Sequence, residues 1–330
     1  MSALELARAN LLSPVVLCFA LGALAFWARS DLRVPEPVFT ALSIYLMLAI
    51  GLKGGAELSA SGVGEVAAPA LGALAIGCAT PVWSYLLLTR LGRLGSADAA
   101  AVAAHYGSVS AVTFAAVLTM LDRQGTPYEG FSAALLAIME APAIIVALAL
   151  ARLASTRVAS GPGDADGTGF GAALREVLAG KSIVLLAGGL VIGALVGPAG
   201  LVRVKPFFVD LFAGALCLFL LDLGRVAASR AGDFLRVGKF LLGFALLAPV
   251  AHAAVGVGVA YLTGLSQGGA IVLGTLAASA SYIAAPAAVR LGLPEANPGL
   301  YLTASLAITF PFNITVGLPL YAAMARALYG

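Results

Sequence analysis

The sequence predicts an all-α polytopic membrane protein with ten transmembrane helices, arranged as two five-helix repeats of opposite orientation. Three observations predict it: an apolar composition, ten long apolar stretches, and an internal similarity between the two halves. Of the 330 residues, 61% are hydrophobic and 11% are charged, and the mean hydropathy is +1.01. A soluble domain carries about 25% charged residues. This composition therefore excludes a soluble enzyme, a disordered tail and a nucleic-acid binder.

Ten stretches are long and apolar enough to cross the roughly 30 Å of hydrocarbon in a bilayer. They cover roughly 12–28, 36–53, 67–89, 97–121, 128–151, 181–199, 206–224, 237–263, 268–290 and 298–328. The segment 152–180 between the fifth and sixth stretches is polar and has the Gly-rich composition of a linker. We therefore expect a first repeat over 1–151, a linker over 152–180 and a second repeat over 181–330.

The distribution of Lys and Arg predicts the orientation of the chain. Six of these residues lie in loops on one side of the membrane and thirteen on the other. Because cytoplasmic loops are enriched in positive charge, the richer side is expected to face the cytoplasm. Both termini then lie outside, and the linker lies inside.

The two halves align at an offset of 170–171 residues. AIMEAPAIIVAL (137–148) matches AITFPFNITVGL (307–318) at five of twelve positions, and GSVSAVTFAAVL (107–118) lies against ASASYIAAPAAV (278–289). Five spans is an odd number, so the second repeat must enter the membrane inverted. Inverted repeats are the usual architecture of secondary transporters.

Small polar residues interrupt spans 4 and 9 near their middles, at 106–110 and 279–282. Such insertions are tolerated at membrane depth where they line a cavity, which predicts two broken helices that cross near the midplane. The N–H groups at an opened helix can bind an anion. The alternative is that the small residues only allow close helix packing.

Ionisable residues within the spans are expensive and indicate function. Glu140 lies deep in span 5, and Asn313 lies in the corresponding region of span 10. Their oxygens suit a hard cation, although a hydrogen bond between helices would also explain Glu140. His105 precedes the first break and is interpreted either as a pH sensor or as a buried, hydrogen-bonded imidazole.

Two further charge pairs are interpreted as ion pairs at helix ends or surfaces, Asp222 with Arg225 and Lys53 with Glu57. The sequence lacks HExxH and Walker A motifs, so an enzyme is not expected.

Four segments resemble the sodium-dependent bicarbonate transporter family of the SbtA type: AIGLKGGAELS (49–59), AAHYGSVSAVTFA (103–115), IMEAPAI (138–144) and the long segment 278–321. The resemblance implies Na⁺-coupled bicarbonate import across the bacterial inner membrane, which supplies inorganic carbon for fixation. It also implies a homotrimer, a transport core of spans 3–5 and 8–10, and a gate or scaffold of spans 1, 2, 6 and 7. In cyanobacterial members a PII-like trimer binds the cytoplasmic face; the loop 152–180 of this chain matches no family motif.

The resemblance places the substrate at the two breaks. The expected bicarbonate-binding residues are Gly107, Ser108, Ser110, Ala278, Ser279, Ser281 and Tyr282. The expected Na⁺ ligands are Glu140, Asn313, Thr113 and Ser110, with Na⁺ as the coupling ion and no other metal or cofactor.

Three alternatives stay open at this point. The same architecture carries other small anions with sodium, as in bile-acid symporters. A passive anion channel would leave Glu140 and Asn313 unexplained. A membrane scaffold that recruits a cytoplasmic partner would leave the repeat and its breaks unexplained.

Overall fold

The computed structural model describes residues 8–158, 171, 175, 178–230 and 238–330, and in this part of the chain the secondary structure is helical. Eight helical segments are long and apolar enough to cross a membrane, and one of them, Ser96–Gln124, contains a break near its middle. Two shorter apolar helices, Pro14–Trp27 and Gln267–Ala278, accompany them in the described residues. The helices, in chain order, are α1 (Pro14–Trp27), α2 (Glu36–Ala60), α3 (Val63–Arg90), α4 (Ser96–Gly107), α5 (Ala111–Gln124), α6 (Ser132–Val158), α7 (Lys181–Leu201), α8 (Phe212–Ser229), α9 (Lys239–Leu262), α10 (Gln267–Ala278), α11 (Ala285–Gly292) and α12 (Pro298–Tyr329).

The span predicted over 97–121 comprises α4 and α5, and the span predicted over 268–290 comprises α10 and α11. The predicted linker lies largely outside the described residues, since α6 continues to Val158 and most of 159–177 is not described.

Local sequence explains where several helices begin and end. Ser13 and Ser266 cap α1 and α10, because their hydroxyls accept from the N–H groups of Val16 and Gly269. The carboxamide oxygen of Asn297 accepts from Gly299 at the start of α12. Gly125 ends α5 with φ of 63°, the left-handed conformation that glycine adopts most readily. Capping serines therefore begin helices, and a glycine ends one.

Two helix pairs form one layer of the molecule. Helix α2 packs along α7, and α1 packs along α8. Both pairs approach closely through glycine, since a Cβ at Gly22 or Gly193 would collide with the backbone of the facing helix. Such close approach through small residues is typical of helix packing in membranes.

The remaining helices pack in a second group that contains both breaks. Helix α3 contacts α4 and α6, and α9 contacts α10 and α12. The two largest clusters of buried hydrophobic side chains in the described part of the chain lie around Phe114, Leu136 and Leu273 (the first) and around Tyr106, Ile144 and Ala285 (the second). Residues of α4 belong to the second cluster and residues of α5 to the first, whereas α10 belongs to the first and α11 to the second. The boundary between the clusters therefore falls at the two breaks.

Helix α12 is wound irregularly. Residues Thr303–Thr309 and Asn313–Gly317 form π-helical turns on either side of a short α-helical piece, Phe310–Phe312. Pro311 lies between the two turns and lacks the N–H of a regular ladder. π-Helical turns occur often at functional sites.

Candidate functional site

The two breaks meet in the interior of the molecule. The N–H of Ser110 donates to Ser279 Oγ at 2.9 Å, and the N–H of Ser281 donates to the carbonyl oxygen of His105 at 2.7 Å. Each bond joins residues about 170 positions apart in the chain. The bonds show that the two interrupted stretches contact each other, at the point where the sequence predicts a crossing.

Serine side chains stabilise the opened backbone at each break. Ser108 and Ser279 follow the last turns of α4 and α10, and both have extended backbones, with ψ of 164° and 162°. The hydroxyl of Ser108 donates to the carbonyl oxygen of Glu140 at 2.9 Å, which fixes the first break against α6. The hydroxyl of Ser279 donates to Leu276 at 2.8 Å and accepts from Ser110. Serine suits these positions because its hydroxyl replaces a lost backbone partner.

Two further serines cap the helices that resume after the breaks. The hydroxyl of Ser110 accepts from the N–H of Thr113 at 3.1 Å, and the hydroxyl of Ser281 accepts from the N–H of Ala285 at 3.2 Å. The first N–H groups of a helix have no acceptor within the helix and carry its partial positive charge. The first amides of α5 and α11 are thus directed toward the crossing.

A small cavity lies at this crossing, and we call it the break cavity. Its walls include Ser110, Glu140, Ser281 and Tyr282, together with Met47 from α2. It measures about 10 Å³, enough for about one water molecule. The hydroxyl of Ser110 donates to Tyr282 at 3.3 Å. Residues of both breaks therefore share one enclosed space with a carboxylate.

Glu140 is the least satisfied group at the break cavity. Its side chain is 4% exposed, and its Oε2 has no hydrogen-bond partner among the residues that the structure describes. A buried carboxylate without a partner is costly and favours a cation or a proton beside it. The carboxylate is thus suited to hold a cation at the crossing.

Asn313 lies beside the second break but does not line the break cavity. Its Nδ2 donates to the carbonyl oxygen of Ala278 at 3.0 Å, and its Oδ1 accepts from Tyr321 at 2.6 Å. The amide is fully buried. Of the four predicted Na⁺ ligands, the structure brings Ser110 and Glu140 to one cavity, with Thr113 bonded to Ser110 and Asn313 at the end of α10.

The residues predicted to bind bicarbonate fall into two groups. Ser110, Ser281 and Tyr282 line the break cavity, whereas the others shape its surroundings. Ser108 and Ser279 hold the backbone as described above, and Ala278 is bonded to Asn313. Gly107 lies in a tight interface, where a Cβ would be 2.7 Å from Pro81 Cδ and 2.9 Å from Ala143 Cβ.

Two contributions to the site have weak signals in the sequence. Met47 belongs to an ordinary apolar run, and nothing local indicates that it faces the crossing. The hydroxyl of Thr309 donates to the carbonyl oxygen of Ala245 and accepts from Tyr106, both at 2.6 Å. These two hydrogen bonds connect α4, α9 and α12. In the sequence they are indicated only by a tyrosine and a threonine inside apolar spans.

His105 is fully buried, and its ring stacks on Tyr301 with 4.5 Å between the centroids. Its Nδ1 lies 2.7 Å from the carbonyl oxygen of Ala101, so Nδ1 carries the proton. In the described part of the chain Nε2 has no hydrogen-bond partner. The imidazole is therefore buried and hydrogen-bonded, as the second interpretation expects, and a role as a pH sensor stays a prediction.

One of the two expected ion pairs is present. Arg225 Nε lies 3.0 Å from Asp222 Oδ1, which confirms that pair. The prediction for Lys53 was wrong, since among the described residues it forms no ion pair with Glu57. Its ammonium donates instead to the hydroxyl of Tyr128 at 3.1 Å.

These features define a class of protein: a multi-pass membrane protein in which residues of two interrupted helices line one buried polar cavity. Residues 14–326 match the family model described as the Na⁺-dependent bicarbonate transporter superfamily. The chain therefore belongs to this family, as its sequence motifs indicate. None of the curated proteins compared with the chain matches it.

Proposed function

We propose that the protein is a secondary active transporter that imports bicarbonate together with Na⁺. Both ions bind at the break cavity, which opens alternately to the two sides of the membrane. One observation carries the proposal beyond family membership: two interrupted helices from corresponding positions in the halves meet at a cavity that contains an unpartnered carboxylate. Na⁺ is the coupling ion, and the mechanism requires no other cofactor.

An inverted repeat, the architecture that this mechanism requires, is supported by the helix contacts. Gly22 of α1 faces the backbone of Leu221 and Arg225 in α8, and Gly224 of α8 faces Phe19 and Ala23. The same arrangement recurs in the other pair: Gly193 of α7 faces Leu52 and Ala56 in α2, and Gly55 of α2 faces Leu190 and Ala194. The three α1 residues in these contacts each lie 171 positions before an equivalent α7 residue: Phe19 before Leu190, Gly22 before Gly193 and Ala23 before Ala194.

The relative direction of the broken helices supports the inversion. The chain passes from the second hydrophobic cluster to the first at one break, and from the first cluster to the second at the other. The two broken spans thus run in opposite directions. The chain has ten spans, five in each half, if α1 crosses the membrane and if α10 and α11 together form one further span.

The Na⁺ site is proposed around Glu140. Its carboxylate supplies a negative charge, and the hydroxyl of Ser110 supplies a second oxygen in the same cavity. Thr113 and Asn313 complete the set of candidate ligands, and Asn313 reaches the ion if the break opens at Ala278. Carboxylate, hydroxyl and amide oxygens are the ligands that a hard cation prefers.

The bicarbonate site is proposed on the other walls of the cavity. The N–H groups at the starts of α5 and α11 attract an anion, and the hydroxyls of Ser110, Ser281 and Tyr282 donate to its oxygens. Ser108, Ser279, Ala278 and Gly107 position the backbone that presents these donors. The small volume of the break cavity favours a small anion.

Coupling to Na⁺ solves an energetic problem. An interior-negative membrane opposes the uptake of an anion by about 2.3 kcal/mol per charge for every 100 mV. One Na⁺ that moves with one bicarbonate cancels this charge, and the sodium gradient then drives accumulation. We infer that Na⁺ binds first at Glu140 and makes the site favourable for the anion.

The proposed moving unit is the transport core, α3–α6 with α9–α12, and the proposed scaffold is α1, α2, α7 and α8. The scaffold would assemble a homotrimer in the bacterial inner membrane, with both termini outside. The linker 152–180 would then be cytoplasmic, where a PII-like regulatory trimer could dock.

Uptake of ¹⁴C-bicarbonate into proteoliposomes tests the proposal. We expect accumulation above the external concentration with an inward Na⁺ gradient and none with K⁺ in its place. Equilibration without accumulation would indicate a passive channel and contradict the proposal. Na⁺-driven accumulation of another small anion, but not of bicarbonate, would replace the proposed cargo.

A further inference from the structure

A second cavity lies between the proposed scaffold and the transport core, and we call it the outer cavity. Its walls include Ile50 and Lys53 of α2, Phe114 and Asp122 of α5, and Tyr128 of the connection that precedes α6. Its volume is about 70 Å³. This is room for about five water molecules, or for a small ion with part of its hydration shell.

Lys53 places a positive charge at the outer cavity, and this charge has no ion-pair partner among the described residues. Its ammonium donates to the hydroxyl of Tyr128 at 3.1 Å and lies 5.6 Å from the centroid of that ring. The described residues offer it no carboxylate within ion-pair distance, since the ion pairs found there involve Lys205 and Arg225. An ammonium has three N–H donors, so two remain for a ligand in the cavity.

The hydroxyl of Tyr128 links Lys53 to Asp122 through two hydrogen bonds. The Tyr128 hydroxyl donates to Asp122 Oδ1 at 3.0 Å while it accepts from Lys53. Burial raises the pKa of Tyr128, and the negative charges of Asp122 and Glu57 raise it further. The phenol therefore stays protonated at neutral pH and continues to donate to Asp122, which lies at the exposed side of the cavity.

The outer cavity and the break cavity are consecutive along the same two helices. On α2, Met47 lines the break cavity and Ile50 lines the outer cavity. On α5, Ala111 lines the break cavity and Phe114 lines the outer cavity. Each pair is three residues apart on one helix face, so about 4.5 Å of helix separates the two spaces. The side chains of Met47, Ile50 and Phe114 are buried and apolar, so a passage between the cavities would have to open past them.

We propose that the outer cavity is a binding site for small monovalent anions, which Lys53 attracts before they pass to the break cavity. This inference rests on the proposed function, which gives the passage its direction and its cargo. The site raises the local concentration of the anion at the closed passage. Lys53 thereby controls the apparent affinity for the anion rather than the rate of the later transport steps.

The first test is uptake kinetics of the full chain in proteoliposomes. We expect Lys53→Gln to raise the KM for bicarbonate about tenfold with Vmax changed less than twofold, and Lys53→Arg to retain a KM near the original. Asp122→Asn, which keeps an acceptor for Tyr128 but removes a negative charge, should lower KM. Lys205→Gln is the matched control, because Lys205 is exposed and paired with Asp210, and it should leave KM unchanged.

The second test does not depend on transport. Thr119 lines the outer cavity, and a cysteine can replace it after Cys18, Cys78 and Cys217 are changed to alanine. We expect Thr119→Cys to react faster with an anionic methanethiosulfonate reagent than with a cationic one. Lys53→Gln should reduce this ratio about tenfold, and bicarbonate should slow the reaction only when Lys53 is present.

The outcomes separate this inference from the proposed function. If Lys53→Gln leaves both the KM and the reagent selectivity unchanged, the inference is overturned. This holds whether or not the variant loses Vmax. If the unsubstituted protein accumulates no bicarbonate but the reagent selectivity still depends on Lys53, the result supports the anion site and contradicts bicarbonate as the cargo.

Discussion

Glu140 is the residue on which coupling depends in the proposed mechanism. It combines burial, an unpartnered oxygen and a position beside the two breaks. A carboxylate in this setting needs a compensating charge, and a bound Na⁺ supplies one when the anion binds nearby.

Replacement of the carboxylate by an amide tests this role. Glu140→Gln preserves shape and one acceptor oxygen but removes the charge, so we expect the Na⁺ concentration for half-maximal uptake to rise at least about tenfold. Uptake measured across a series of Na⁺ concentrations checks this. Glu65→Gln, on the exposed start of α3, is the control, and an equal Na⁺ dependence in both variants would contradict the role.

Ser279 joins the two breaks, and its hydroxyl is the acceptor for the N–H of Ser110. Ser279→Ala leaves that buried donor without a partner, at a cost of about 1–3 kcal/mol. We expect kcat/KM for uptake to fall about tenfold or more. The matched control is Ser305→Ala, because the hydroxyl of Ser305 bonds only within α12 among the described residues. If the two alanine variants transport equally, the bond does not organise the site.

At the scale of helices, the interruptions between α4 and α5 and between α10 and α11 let backbone groups face the interior of the molecule. The break after α4 needs close support, because Gly107 lies against Pro81 and Ala143 with no space for a side chain. Helix α12 supports the second break, where Asn313 in a π-helical turn holds the carbonyl of Ala278.

A single methyl group tests the tightness of the first break. Gly107→Ala forces α4 away from α3 or α6, and overpacking of this kind costs about 1–3 kcal/mol. We expect a lower thermal unfolding midpoint and reduced uptake. Gly258→Ala in α9, where a Cβ meets open space, should be neutral or slightly stabilising. An unfolding midpoint for Gly107→Ala as high as that of Gly258→Ala would contradict this packing.

The helices and the positions of the breaks could be predicted from the sequence because they are local properties. Apolar length marks a span, and the polar runs at 106–110 and 279–282 mark the interruptions. The partners across the breaks could not be predicted, since Ser110 and Ser279 meet only after the spans cross. Lys53 shows the limit most clearly. The sequence predicts an ion pair with Glu57, one helical turn away, but Lys53 donates instead to Tyr128, which lies 75 positions further along the chain.

At the scale of the whole molecule, the proposed repeat places equivalent contacts in the two halves. The pairs α1 with α8 and α2 with α7 use glycines at corresponding positions, so the two contacts have the same geometry. In the proposed mechanism, these two contacts would form the rigid frame against which the transport core moves.

Equivalent substitutions in the two halves test the repeat. Gly22→Val and Gly193→Val each place a side chain against the backbone of the facing helix. We expect both to lower the unfolding midpoint by similar amounts, with a cost of at least about 1–3 kcal/mol each. Gly188→Val is the control on α7, since its Cβ meets open space. A large effect in one half and none in the other would argue against equivalent contacts.

The joint binding of two ions at the crossing is the central claim, and one measurement addresses it directly. The Kd of bicarbonate for the purified protein is determined by equilibrium binding at a series of Na⁺ concentrations, with ionic strength held constant by K⁺. Binding free energies are reciprocal, and coupling of about 1–3 kcal/mol corresponds to roughly 5- to 150-fold in affinity. We predict that the Kd decreases by a factor within this range as the Na⁺ concentration rises, and that Glu140→Gln abolishes this decrease. A Kd that is independent of Na⁺ would contradict the account.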